Sequence, residues 1–405
     1  MHDAPTSAIA PTHTTHESAW WHDVHVPTRA SLDHDADTDV CVVGLGGSGL
    51  AAIREARALG ARVIGVDGGR IAGAAAGRNG GLLLGGMASF HHDAVAQWGD
   101  AATELYGHTL EELARLRHDT PDVTWWRGSL RTWEDPHEQA DCQQQAVVMR
   151  AAGLRVEAYE GVEGTGLFFP DDGACHPVRR VLALADHAER EGAVLHEQTP
   201  VCAVHAGAVE LANGAVIRAA HIMVCTDGAL GTLLPSLAPR LRAVRLQMLA
   251  TAPANDVRLR CPVYARFGYD YWQQLPDGRV LLGGGRDQFE AEEYTTDSAP
   301  SANIQGWLEH RLRTRVGTHA PITHRWAATV TYTHDELPVV ESVAPGVWGV
   351  GGYSGTGNVV GALCARGAVR RALRVPDAFL DAVDDARAFW HRHRADERDS
   401  IAPGR

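Results

Sequence analysis

The chain has no lysine; all 37 of its basic residues are arginine. That absence excludes a pyridoxal phosphate Schiff base and the phosphate grip of a Walker A loop. Cysteine is sparse and odd in number, seven in 405 residues, with no Cys-x-x-Cys pair. A disulfide framework and a zinc site are disfavoured, no metal ligand set is expected, and the expected setting is reducing and cytoplasmic. No apolar stretch reaches membrane-spanning length without polar or glycine interruption, so membrane insertion is not expected. No basic region followed by an apolar core opens the chain, and no secretory signal is expected. Positive charge is in deficit: 50 acidic residues leave a formal net charge of −13. Nucleic acid, which requires basic clusters, is not an expected partner. The acidity serves either solubility or the long-range attraction of a cationic substrate such as an amine.

A composition of 45% hydrophobic and 21% charged residues describes a globular chain long enough for two domains. Its most informative stretch is 39–81. Val40 to Val43 reads as a buried strand. Gly44, Gly46 and Gly49 follow in G-x-G-x-x-G spacing, with Gly47 and Ser48 between them. Leu50 to Leu59 reads as helix, Gly60 as its C′ residue, and Arg62 to Val66 as a second strand ending at Asp67. This is a dinucleotide-binding βαβ unit. The first glycine permits the turn, the second the approach of a pyrophosphate, and the third the packing of helix on strand. The helix N-terminus offers amides to the phosphates. Asp67 lies 23 residues after Gly44, where a carboxylate receives a ribose hydroxyl. An acid there disfavours NADP; FAD and NAD both keep the free hydroxyl.

The segment Gly69 to Gly81, GRIAGAAAGRNGG, resembles the D-amino-acid oxidase-like flavoprotein family, which includes glycine and sarcosine oxidases. The element Gly77 to Gly81 (Gly77, Arg78, Asn79, Gly80 and Gly81) is similar to the γ-glutamylputrescine oxidoreductase branch. Likeness continues through AVLHEQTPV at 193–201, IMVCTDGA at 222–229 and YWQQLPDGRVLLGGGRD at 271–287. It ends with WAATVTYTHDELPVV at 326–340 and VWGVGGYSGTGNVVGA at 347–362.

The resemblance implies non-covalent FAD, since the spans 69–86 and 326–357 hold no cysteine and only His334 among histidines. It implies that Val201 lies against the adenine and that Thr226 is in the turn returning to the cofactor. Arg78 and Asn79 are expected to hold the ring and ribityl or phosphate region. The turn containing Gly352, Gly355, Thr356 and Gly357 is expected to offer N–H donors to the flavin N1–C2=O edge. The implied reaction converts an amine or amino acid to an imine by hydride transfer to flavin N5. Tyr271, Arg286, Tyr332 and Tyr353 are the candidate substrate-facing residues, with Arg286 the partner of any substrate carboxylate. Several amine oxidases of the family place a lysine beside the flavin to activate oxygen, and this chain has none. An acceptor other than oxygen therefore stands as the alternative, with a non-catalytic flavin-binding subunit beyond it.

The expected fold is α/β with an α+β substrate part: an FAD-binding Rossmann-like domain and a discontinuous antiparallel-sheet substrate domain. Residues 1–35 read as an arm, with Trp20 and Trp21 packing it down and His13 and His16 a histidine tail rather than metal ligands. The FAD-binding domain takes 36–89, 171–236 and 335–373; the substrate domain takes 90–170 and 237–334; 374–405 is a polar helix and tail. Val123 to Thr132 reads as a strand pair, Trp125 and Trp126 as core, and His176 as a structural residue at a helix start.

Overall fold

A computed structural model describes residues 17–400, with side chains through 393. His13 and His16 lie outside the described residues. The strand Ala36–Val43 has Val40 to Val43 all buried. It is apolar without alternation because it pairs in parallel on both sides, with Val63–Val66 and with Val216–Val224. Val194–His196 extends the parallel sheet beyond Val63–Val66, and Val347–Gly351 extends it beyond Val216–Val224. Antiparallel strands complete eight, both on the flank of Val216–Val224 away from Ala36–Val43: the Val201–His205, Ala208–Leu211 hairpin along its first half and Val339–Ala344 beyond Val347–Gly351, while Val194–His196 forms the opposite edge. The chain leaves Ala36–Val43 toward one side and later returns on the other. The carboxyl end of that strand is thus the switch point where open α/β sheets hold ligands.

Two helices close one face, Gly47–Ala58 and Val360–Ala372. Their buried contacts are largely small residues, Ala52, Ala56, Ala365 and Ala368 among them, which lets the two backbones approach closely. The terminal helix Ala378–Ser400 packs against Val360–Ala372 and against the helices His91–Trp98 and Ala101–Asp119. It is less polar in role than its composition suggests, because Phe379, Leu380, Val383 and Ala386 are buried.

A second eight-stranded sheet is ordered Ile322–Tyr332, Arg242–Pro253, Arg279–Gly284, Asp270–Gln274, Val263–Ala265, Ser129–Thr132, Gly164–Phe169, Glu157–Gly161. Its neighbours are antiparallel except Val263–Ala265 with Ser129–Thr132, which run parallel. That exception joins the two separated halves of the sheet, a join for which no short turn signal exists in sequence. Helix Ala302–Arg311, continued by a wider turn Leu312–Val316, covers the sheet with Ile304, Leu308 and Leu312.

The expected strand pair at 123–132 is corrected. Thr124–Trp125 joins Gly173–Cys175 and Leu82–Leu83 in a small third sheet, while Ser129–Thr132 enters the large one. Trp125 and Trp126 are half-buried and pack against the edge of the core. Trp20 is 1% exposed and donates its indole N–H to the Asn79 carbonyl at 2.8 Å, so the N-terminal segment braces the Gly77–Gly81 turn. His176 caps helix Pro177–Arg190, its ring accepting from the Arg179 N–H, with burial first among the causes lowering its pKa to about 4. Among the described residues no helix is long and apolar enough to cross a membrane.

Candidate active site

At the carboxyl end of Ala36–Val43 the backbone turns through Gly44, whose φ is +96°. A Cβ on Gly44 would lie 2.8 Å from the Cys225 carbonyl oxygen, and one on Gly49 would overlap the Gly44 carbonyl itself. These two glycines let strand, helix and neighbouring strand close on one another. Helix Gly47–Ala58 then begins with no side-chain cap and no acid in its first turn, so its free amides and positive end face the cavity. Asp67 Oδ2 accepts the Leu45 N–H and Oδ1 the Gly69 N–H, each at 2.8 Å. Burial raises its pKa against the pull of those two amides.

Behind this turn lies Arg180, 1% exposed, which the sequence reading missed. Its guanidinium donates to the Asn358 carbonyl at 3.1 Å and keeps a buried Nε without a hydrogen-bond partner. Nη1 lies 3.7 Å from where a Cβ of Gly47 would stand. Its place on the buried face of Pro177–Arg190 was the available signal: an arginine among Val178, Val181 and Leu182 needs an anionic reason.

The Gly77–Gly81 element forms the opposite lip. Arg78 donates to the Gly73 and Ala327 carbonyls at 3.0 and 2.9 Å, and Trp326 donates to the Arg78 carbonyl at 2.7 Å. Asn79 accepts from the Gly81 N–H at 2.8 Å and from Asn358 at 3.0 Å, and donates to Ala76 at 2.9 Å. Both side chains line the cavity, yet Asn79 has its polar atoms committed to the turn itself. Its observed work is to hold the turn's shape.

One cavity of about 1330 Å³ joins these lips to the second sheet. Gly44, Gly46, Gly47, Ser48, Asp67 and Gly80 line it, as do Val201, Thr226, Gly355, Thr356 and Gly357. Gly49, Gly77, Gly81 and Gly352 are not in the wall. Their role is close packing: a Cβ on Gly77 would overlap the Ala72 carbonyl, and one on Gly81 the Cys175 carbonyl. The Gly352 N–H is taken by Asp227 at 2.9 Å.

All four substrate-facing candidates line this cavity. Tyr271 stands over Gly283, and its ring carbons come within 3.2 Å of where a Cβ of Gly80 would be. The Tyr332 hydroxyl is 3.3 Å from the corresponding position of Gly355. The Arg286 guanidinium lies 4.6 Å from the ring centroids of both Tyr269 and Tyr332. Asp287 does not neutralise Arg286, because it pairs with Arg266. Tyr353 lines the cavity as well. It is buried, its ring against Gly357 and Gly361 and its hydroxyl beside Ser48, so it packs between the last turn and the first helix.

Tyr264, Arg131 and Asp172 also line the cavity and were not foreseen. Tyr264 lies 5.7 Å from Tyr271, centroid to centroid. Burial raises the pKa of Tyr264, Tyr271 and Tyr332, so all three stay neutral and offer O–H donors. Asp172 accepts the Ser129 hydroxyl at 2.6 Å and the Gly85 N–H at 2.8 Å, yet burial pushes its pKa up to about 7. A raised carboxyl pKa means the native state binds more protons than the unfolded chain between about pH 4 and 7. Stability therefore falls as pH rises through that window, by on the order of 4 kcal/mol. For Asp172→Asn we expect this slope to flatten in urea unfolding at pH 4 to 8. A stability difference from wild type that stays constant across the range would refute the assignment.

FAD fits this site on two observations. The Thr226 hydroxyl oxygen is buried without a hydrogen-bond partner beside Gly44, and a helix start with uncapped amides opens into the same space. The volume exceeds the roughly 300–1,000 Å³ of an ordinary small-molecule pocket, leaving room for a second small molecule.

Comparison with known proteins gives three kinds of match. The family model described as DAO, FAD dependent oxidoreductase, matches residues 39–371. A probable oxidoreductase, OrdL, of Rhizobium meliloti is 24% identical over 394 residues, covering 85% of this chain and 86% of that protein. The γ-glutamylputrescine oxidoreductase of Escherichia coli is 23% identical over 361 residues, covering 81% and 82%. Among solved structures, glycine oxidase from Geobacillus kaustophilus superposes with a TM-score of 0.70 at 20% identity, covering 85% of this chain and 96% of that one.

Proposed function

The chain belongs to the DAO family of FAD-dependent oxidoreductases, and on that footing we propose that it oxidises a C–N bond of an amine or amino acid to an imine. The observation that carries this reading is the single cavity that runs from the Gly44 turn to Tyr271, Tyr332 and Arg286. Bound FAD supplies the hydride acceptor. The substrate carbon gives up a hydride, the nitrogen lone pair closes the C=N bond, and water later hydrolyses the imine.

The residues of this chain orient and exclude. The Gly47–Ser48 helix start and Arg180 meet the pyrophosphate, Asp67 the ribose, and the Gly355–Gly357 turn the pyrimidine edge of the ring. Arg286 receives the substrate carboxylate, and the neutral hydroxyls of Tyr271 and Tyr332 fix the substrate against the ring. The first sheet is the cofactor domain in this reading and the second the substrate domain. Attachment of FAD is non-covalent: Cys225, the cysteine in the cavity wall, is buried, and burial pushes its thiol up to about 12.

The electron acceptor follows a second reading as well. With no lysine in the chain, a dehydrogenase that passes electrons to a carrier or quinone stands beside an oxidase. Anaerobic titration of the purified protein with polyamines, N-methylated amino acids and D- and L-amino acids tests the reading. Absorbance near roughly 370 and 450 nm that bleaches with one class supports it. A flavin that no amine reduces would sink it, and peroxide formed on re-aeration would favour the oxidase.

A further inference from the structure

We propose that the amine substrate carries two carboxylates, and that Arg131 holds the second. The proposal rests on the amine-oxidation reading and names the substrate class for that site.

Arg131 stands on Ser129–Thr132, opposite Tyr264, which is itself opposite Tyr271. The three are in register, so they project side by side from one face of the sheet into the cavity. Strand spacing sets Arg131 about 10 Å from Tyr271. Tyr271 touches the Gly80 lip, so Arg131 marks the far end of the substrate space and Arg286 the near end.

Most other arginines of this sheet and its cover have carboxylate partners; of the rest, Arg242 is exposed over the Tyr294 ring and Arg313 donates to the Thr318 and Ala320 carbonyls. Arg245 pairs with Glu293 at 2.9 Å, Arg311 with Asp270 at 2.8 Å, and Arg325 with Glu309 at 2.7 Å; Arg266 pairs with Asp287. Arg131 and Arg286, which face the cavity, have none within 4.0 Å among the described residues. The Arg131 Nε is buried without a hydrogen-bond partner, and its guanidinium lies 4.3 Å from the Phe90 ring centroid. Two acids lie near it, and both are occupied. Asp172 holds the Ser129 hydroxyl and the Gly85 amide; Glu138 holds the Phe267 amide at 2.6 Å and the Glu134 amide at 3.1 Å. A buried Nε–H with no acceptor, and no directly paired counter-charge, is costly to keep. An incoming carboxylate supplies that charge and matches the planar donor fork.

The test uses non-oxidisable probes on the FAD-loaded protein. Succinate, glutarate and adipate are titrated against butyrate, with binding read by calorimetry and by perturbation of the flavin spectrum. The best dicarboxylate is expected to bind about 10- to 100-fold more tightly than butyrate. In Arg131→Gln that ratio falls to about 1, and Arg131→Lys restores part of it by restoring the charge. A wild-type ratio near 1, or a ratio that Arg131→Gln leaves intact, overturns the proposal. Should neither variant fold, the wild-type ratio alone decides. Amine reduction of the flavin without dicarboxylate preference defeats this proposal and spares the amine reading; selective dicarboxylate binding with no amine able to bleach the flavin does the reverse.

Discussion

Gly49→Ala yields a protein that purifies without flavin. The added Cβ overlaps the Gly44 carbonyl oxygen, and Gly44 has no room to retreat. Its own Cβ position is 2.8 Å from the Cys225 carbonyl and 3.2 Å from the Thr226 methyl. Ala36–Val43 is held on both sides by parallel pairing, so the strand end cannot shift. The helix start must move instead, and its amides leave the place where a pyrophosphate would lie. We expect about a 100-fold loss of FAD affinity, ~3 kcal/mol, measured by fluorescence titration of the apoprotein. Gly60→Ala is the control. Its φ is +86°, but a Cβ there meets nothing within 4 Å. It should cost ~1 kcal/mol of stability and no flavin. A yellow Gly49→Ala protein with wild-type affinity would overturn this account of the turn.

Arg286→Ala lowers kcat/KM about 100-fold for the preferred carboxylate-bearing amine, a loss of ~3 kcal/mol, while FAD content holds. The guanidinium follows two glycines, Gly284 and Gly285, with φ of +136° and +77°. Buried Asp270 accepts the Gly285 N–H at 3.1 Å and pairs with Arg266 and Arg311, so the turn presenting Arg286 is anchored. The aromatic rings of Tyr269 and Tyr332 then fix the cation between them. Arg286→Lys should recover only part of the activity, because an ammonium lacks both the fork and the stacking plane. Steady-state kinetics with an amine lacking any carboxylate supply the contrast: an equal loss there would assign Arg286 to the fold and not to substrate.

The site was legible wherever its chemistry is local. Gly44, Gly46, Gly47, Asp67 and the Gly355–Gly357 turn all line the cavity, and their short spacing along the chain made them readable. The substrate wall was half legible. Tyr271, Tyr332 and Tyr353 were singled out by resemblance and all line the cavity, Tyr353 with its ring also against Gly357 and Gly361. Asn79, read as a cofactor ligand, lines the cavity while its amide also closes the turn.

What the sequence by itself determined is the dinucleotide-binding βαβ unit, which depends on residue identity within one short segment, and the exclusion of lysine chemistry, which depends on composition alone. Only the tertiary structure decided which arginines are free. Arg131 meets Tyr264 through a parallel pairing across more than a hundred residues, and the partners of Arg245, Arg266 and Arg311 come from other turns and helices. Whether a cation is neutralised depends on which carboxylate the fold carries to it, and no spacing along the chain encodes that.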